Sequence, residues 1–274
     1  MAYTGEPLNL PETLQRVEAL DRCESWQLET YGSVDRHPLY VLTRNRDQTH
    51  GHLYLSTGIH GDEPAGPLAT LRLLEQGALS PRLNWTIFPL LNPLGLLAGT
   101  RENAAGADLN RDYAAFSQPE ARQHRDWLAA HCERYSLALA LHEDWESHGF
   151  YIYQLNLQPD APSLGRGMLD VVEPICGVDR SASIEGREAS DGLIAHPAMP
   201  EITEDCPEQF YLQQNHTRHG YTLEAPSDQP LERRVDALCA AVLHAQARLL
   251  DHLAQTAIPG INQPGDASDA HEAI

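Results

Sequence analysis

His60 and Glu63 stand three residues apart in STGIHGDEPAG, where an apolar run ends and a helix-period segment begins. If that turn is helical, the imidazole and carboxylate can point at one ion, and two histidines, a glutamate and a water make an established catalytic zinc set. The spacing alone is common, so its position carries the weight. Side chains at the C-terminal end of a strand in an open α/β sheet project into the crevice where ligands bind. Two metallopeptidase patterns with a built-in base are absent: Glu146 stands where a second histidine would follow His142-Glu143-Asp144-Trp145, and Pro64 follows Glu63. Glu63 therefore reads as a ligand and not as the base.

The second imidazole is His142, which closes the apolar run Ser136 to Leu141, 79 positions after Glu63. That distance suits a ligand delivered by a different strand of the same sheet. His148 and His52 are alternatives, but neither ends an apolar run in this way. Glu224 closes another short run in HGYTLEAPS, and a carboxylate there is costly to bury without a partner. Water activated by a cation is one such partner, because the metal lowers its pKa from about 15.7 toward 7 and a carboxylate can then take the proton. A helix-start carboxylate is the competing explanation, set back by the gap before Pro230. Between these segments, NPLGLLAGTRENAAGADLNRDY places Arg101, and Arg111 beside Asn110, in a Gly/Asn-rich loop. Guanidinium forks there suit a carboxylate and a developing oxyanion.

Elements that would hold such residues alternate along the chain in the manner of an α/β protein. Apolar runs predict strands over Leu39 to Thr43, His52 to Thr57, Trp85 to Leu91, Leu137 to Leu141, Phe150 to Leu155 and Tyr221 to Glu224. A helix is expected from Pro64 to Gln76, with Gly77 as its C-terminal glycine. Ser117-Gln118-Pro119-Glu120 has the spacing of a capping box. The last helix, Pro230 to Gln255, carries Val235, Leu238, Val242, Leu249 and Leu253 on one stripe. Residues 1–256 read as one catalytic α/β domain and 257–274, with two Pro-Gly turns, as a flexible tail. Segment 159–214 breaks every periodicity and could be an insertion that shapes a cleft.

Composition narrows the partners. The 274 residues hold 39 acidic and 19 basic side chains, a formal charge of −20, which argues against nucleic acid because phosphates are gripped by clustered lysine and arginine. The apolar runs are strand-sized, far short of the 20 or so residues that cross a bilayer. The N-terminal segment lacks a basic and apolar leader pattern, so a cytoplasmic location is expected. Five cysteines without a close pair fit neither a disulfide framework nor a cysteine metal site.

Taken in order, HGDE, NPLGLLAGTRxNxxGxDLNR, a strand-ending His142 and TLEAPS resemble the zinc carboxypeptidase (carboxypeptidase A-like) superfamily. Within it, the compact spacing looks most like bacterial murein peptide amidases and succinylglutamate desuccinylase/aspartoacylase-type deacylases. The resemblance runs from about His52 to Ser227. It implies a mixed, eight-stranded twisted sheet flanked by helices, with one Zn2+ per chain held by His60, Glu63 and His142. Arg101 would polarise the scissile carbonyl, Asn110 and Arg111 would hold a substrate carboxylate, and Glu224 would act as base and then acid. The implied substrate is a small peptide or an acyl amino acid; a non-catalytic binding module is the reading from another class. Tyr211 is put forward as a substrate-capping tyrosine, although its spacing departs from the family's. The acidic run Glu143 to Glu146 also departs from the pattern and suggests selection of a basic substrate group.

Overall fold

The computed structural model describes residues 8–22, 25–45, 51–131, 134–158, 160–199 and 201–256; the expected tail at 257–274 lies outside them, as do Cys23 and Cys132. Ten strands form: β1 Gln27–Val34, β2 His37–Arg44, β3 His52–Thr57, β4 Asn84–Phe88, β5 Leu137–Asp144, β6 Tyr151–Asn156, β7 Ser183–Ile184, β8 Arg187–Glu188, β9 Leu193–Ala195 and β10 His219–Pro226. The helices are α1 Leu10–Ala19, α2 Ala65–Glu75, α3 Pro93–Ala98, α4 Pro119–His131, α5 Gly165–Cys176, α6 Glu208–Asn215 and α7 Leu231–Thr256.

Eight strands make one mixed sheet in the order β1-β2-β4-β3-β5-β10-β6-β9, as expected. Its middle, β4-β3-β5-β10, is parallel, and β6 runs antiparallel to β10. Central strands covered on both faces need apolar side chains on both, which is why β3 and β5 read as nearly unbroken runs. One face carries Leu53, Leu55, Leu137, Leu139, Leu141, Tyr221 and Leu223 into a core with α2, α5 and α7. The other carries Tyr54, Phe88 and Ala138 under α4 and α6. The α7 stripe behaves as predicted, with Val235, Leu238, Val242 and Leu249 all buried.

Several local expectations are corrected. β4 ends at Phe88 rather than Leu91, because the Leu91 and Asn92 amides turn to the Thr57 and Gly58 carbonyls. The capping box at Ser117 does not form. Asp112 takes both the Ser117 and Gln118 N–H groups (2.9 and 2.8 Å), and the Ser117 hydroxyl donates to it as well (2.7 Å). Edge strand β1 gives little apolar signal because most of its residues face water. Gly77 does adopt the left-handed conformation (φ 61°) just beyond α2.

Candidate metal centre and its cavity

Two chain segments, the turn after β3 and strand β5, deliver the three predicted ligands to one point. β3 ends at Thr57, and the HGDE turn then presses against α3. An ideal Cβ at Gly61 would lie 1.9 Å from the Gly95 carbonyl carbon, so only glycine allows that approach. Asn92 locks the same contact. Its Oδ1 accepts from Gly95 N (2.9 Å), capping α3, while its Nδ2 donates to the Ile59 carbonyl (3.1 Å). His60 Nδ1 lies 2.6 Å from Glu63 Oε1 and His142 Nδ1 lies 3.0 Å from Glu63 Oε2. All three side chains are buried, and their donor atoms lie within 4.8 Å of one another. Glu63 Oε2 also accepts from the Glu143 amide (3.1 Å), which fixes the carboxylate.

Asp108 supports this group from outside, although the sequence reading gave it no role. Its Oδ1 lies 3.2 Å from His60 Nε2, and its Oδ2 accepts from Arg101 Nε (3.0 Å). A carboxylate behind a ligating histidine orients the ring. Arg101 Nη1 is 3.8 Å from Glu63 Oε1, so the guanidinium stands beside the candidate ligands. Asn103 shapes the loop between them, its Oδ1 accepting from the Ala105 and Ala107 amides (both 3.0 Å). Asn110 Oδ1 accepts from Glu208 N (2.9 Å), and Arg111 Nη1 donates to the Asn110 carbonyl (2.8 Å).

His60, Glu63, His142, Arg101, Asn110 and Arg111 line a cavity of about 320 Å³ that also takes in Glu224. Parallel pairing of β5 and β10 sets Glu224 directly beside His142, and antiparallel pairing sets it beside Tyr151. Burial pushes the Glu224 carboxyl well above its usual range, and the neighbouring Glu63, Glu185 and Asp144 carboxylates push the same way. For His60, burial opposes charging, yet Glu63 and Asp108 outweigh it and raise its pKa to about 9.

Two expectations fare differently. Tyr211 does not reach the cavity: its ring packs on Phe116 (5.3 Å) and Tyr113 (5.9 Å), and its neighbour Phe210 lines the cavity instead. The acidic run is mostly spent on structure. Glu143 is buried between Arg234 Nη1 and the Ala65 amide (2.5 Å), and Asp144 accepts from Tyr151 OH (3.1 Å) and Glu146 N (2.8 Å). Carboxylates already satisfied in this way have little left with which to select a basic group, whereas Glu146, which also lines the cavity, has only its backbone N–H engaged among the described residues. Segment 159–214 contributes Glu185, Arg187, His196, Pro207, Gln209 and Phe210 to the cavity wall.

Solved structures share this architecture. A candidate metallopeptidase from Shewanella denitrificans superposes with a TM-score of 0.76 at 24% identity, covering 90% of this chain and 91% of its own. Another from Shewanella baltica gives 0.73 at 25% identity, covering 87% and 91%. A metallo-carboxypeptidase from Burkholderia cenocepacia gives 0.66 at 20%, covering 92% of this chain and 70% of its own. Residues 50–181 match the succinylglutamate desuccinylase/aspartoacylase catalytic domain. The chain therefore has the fold of these metallopeptidases and carboxypeptidases. A search of curated proteins returned no match.

The donor set at this point of the fold fits a divalent metal ion. Two imidazole nitrogens and one carboxylate, all buried and converging, leave a position open toward the cavity, the composition of a catalytic rather than a closed structural site.

Beneath the loop of Asn110 lies a second buried carboxylate, which the sequence reading also missed. Glu208 accepts from the Tyr54 hydroxyl and from Ser56 Oγ (2.9 Å), and Tyr54 OH is 3.0 Å from His124 Nε2. Burial raises Glu208 to about 7, against the opposing effect of those two hydroxyl donors. A carboxyl whose pKa is higher in the folded than in the unfolded chain holds its proton more tightly when folded. Stability therefore falls as pH rises from about 4.3 to about 7. Glu208→Gln, which is neutral throughout, is expected to remove up to about 3 kcal/mol of that loss. Denaturant unfolding of both proteins between pH 5 and 8 checks this; parallel stability curves would refute it.

Proposed function

We propose that the protein is a zinc-dependent hydrolase that cleaves a peptide-type amide beside a free carboxylate. The observation that carries this reading is the single cavity shared by His60, Glu63, His142, Glu224, Arg101, Asn110 and Arg111. A zinc ion held by His60, Glu63 and His142 would supply Lewis acidity to the scissile carbonyl and to the attacking water, lowering the pKa of the latter toward about 7. Glu224 then accepts the water proton and returns it to the departing amine nitrogen. Arg101, fixed by Asp108, offers N–H donors to the oxygen on which charge develops. Arg111 pairs with the substrate carboxylate, and Asn110 contributes its Nδ2, because its Oδ1 is already committed to Glu208 N.

A second reading, an N-acyl amino acid deacylase, is favoured by the match of residues 50–181 to the desuccinylase/aspartoacylase catalytic domain. It uses the same residues in the same roles and differs in what flanks the amide. Incubating the zinc-loaded protein with murein tripeptide, ordinary peptides and N-acyl amino acids, with products resolved by mass spectrometry, separates the two. Turnover of none of these, together with no zinc binding, would favour a binding module on this fold.

A further inference from the structure

Part of the cavity lies between the sheet and α6. Its floor is Thr222 of β10 with Tyr153 and Leu155 of β6, which share a sheet face because Thr222 pairs with Tyr153 and Gly220 with Leu155. Gln209 and Phe210 come down from α6, and His196 lies just beyond β9. Gln209 is only 6% exposed, yet neither its Oε1 nor its Nε2 has a hydrogen-bond partner among the described residues. The other buried polar side chains of α6 each have at least one partner, although Gln213 Oε1 has none among the described residues. Glu208 is held by Tyr54 and Ser56, and Gln213 Nε2 donates to the Leu155 carbonyl (2.9 Å). Gly220 makes the room: an ideal Cβ there would lie 1.7 Å from Gln209 Nε2.

An amide buried with both functions unmade is costly, and in a cavity wall a ligand can complete it. We infer that Gln209 is a specificity-determining residue, reading a neutral side group that carries both a hydrogen-bond donor and an acceptor, a carboxamide or a hydroxyl. The inference rests on the hydrolase reading above. Asn110, proposed to hold the substrate carboxylate, is bonded to the backbone of Glu208, one residue before Gln209. The side group of the carboxylate-bearing residue is thereby brought next to the amide. A carboxylate there would satisfy Nε2 alone, an ammonium Oε1 alone, and an aliphatic group neither. His196 and Thr222 add neutral partners in this region. Burial and nearby Arg187 lower the His196 pKa, so its ring is uncharged at neutral pH, and Thr222 brings a hydroxyl. Glu185 and Arg187 bring opposite charges to the same wall.

The test uses zinc-loaded protein and matched substrates that differ only in this side group: glutamine or threonine against norvaline or valine. Wild type is expected to favour the polar member by about 10- to 100-fold in kcat/KM. Gln209→Leu and Gln209→Met should bring that ratio to near one or reverse it, with zinc content unchanged. Calorimetric titration with the free product amino acids supplies a readout without turnover, in which wild type binds glutamine more tightly than norvaline and Gln209→Leu does not. Equal use of both side groups by wild type, or an unchanged ratio in both variants, overturns the assignment. Should one variant fail to fold, the wild-type ratio and the other variant decide. The preference in binding without hydrolysis of any substrate would defeat the hydrolase reading and keep Gln209; hydrolysis indifferent to side group would do the reverse.

Discussion

Glu224→Gln is expected to keep the fold and the metal while lowering turnover about 10²–10⁴-fold, the contribution typical of a positioned general base. The amide is nearly the same size as the carboxyl and can still hydrogen-bond, but it cannot take a proton. The loss should fall on kcat and kcat/KM together, because the interaction removed belongs to the transition state and not to substrate binding. The position supports a clean result. The Glu224 side chain has no hydrogen-bond partner among the described residues and lines the cavity beside His142, so little structure depends on its charge. Circular dichroism, zinc content and steady-state kinetics on the same preparation make the test. Turnover equal to wild type would remove Glu224 from the mechanism.

Wild type is expected to retain about one equivalent of zinc through desalting, and His60→Ala and His142→Ala each to lose it. Each variant leaves two of three protein ligands, and two ligands do not complete the tetrahedral set. Wild type should gain about 4 kcal/mol of stability from zinc present at a thousand times its dissociation constant, a gain that both variants lose. Elemental analysis and thermal unfolding with and without zinc check both outcomes. If the variants bind as much zinc as wild type, the metal lies elsewhere. If wild type binds none at neutral pH, the reading of the cavity as a hydrolytic centre fails with it.

Residue by residue, the sequence was most legible where chemistry and backbone coincide. His142 and Glu224 could be singled out because each ends an apolar run, and a strand end is where a side chain leaves the core. Their adjacency could not be read, since 82 positions separate them and only the β5–β10 pairing joins them. Asp108 was visible inside the long arginine–asparagine motif, but its role came from contacts with His60 and Arg101. Tyr211 and Phe210 show the opposite case. Consecutive aromatic residues on a short helix face different ways, and without the helix phase the residue types do not tell that Phe210 lines the cavity while Tyr211 packs on Phe116. The run after His142 divides for a similar reason. Alternate residues of a strand point to opposite faces, which brings the Glu143 carboxylate to Arg234 and the His142 ring to the other candidate ligands.

The order of apolar runs and helical stripes was enough to establish an α/β chain, because burial on one or both faces leaves its period in the residues themselves, whereas the mixed sheet was implied only by the family resemblance. The identities of the candidate ligands, the guanidinium pair and the base were likewise present, because each is a residue type at a strand end or in a loop. The tertiary structure alone decided which charges are already paired and which remain for a ligand. Glu143, Asp144 and Glu208 look as available in the chain as Glu224, and their partners Arg234, Tyr151 and Tyr54 come from other elements. Pairing of that kind depends on distances through space, on which the spacing of residues along a chain has no hold.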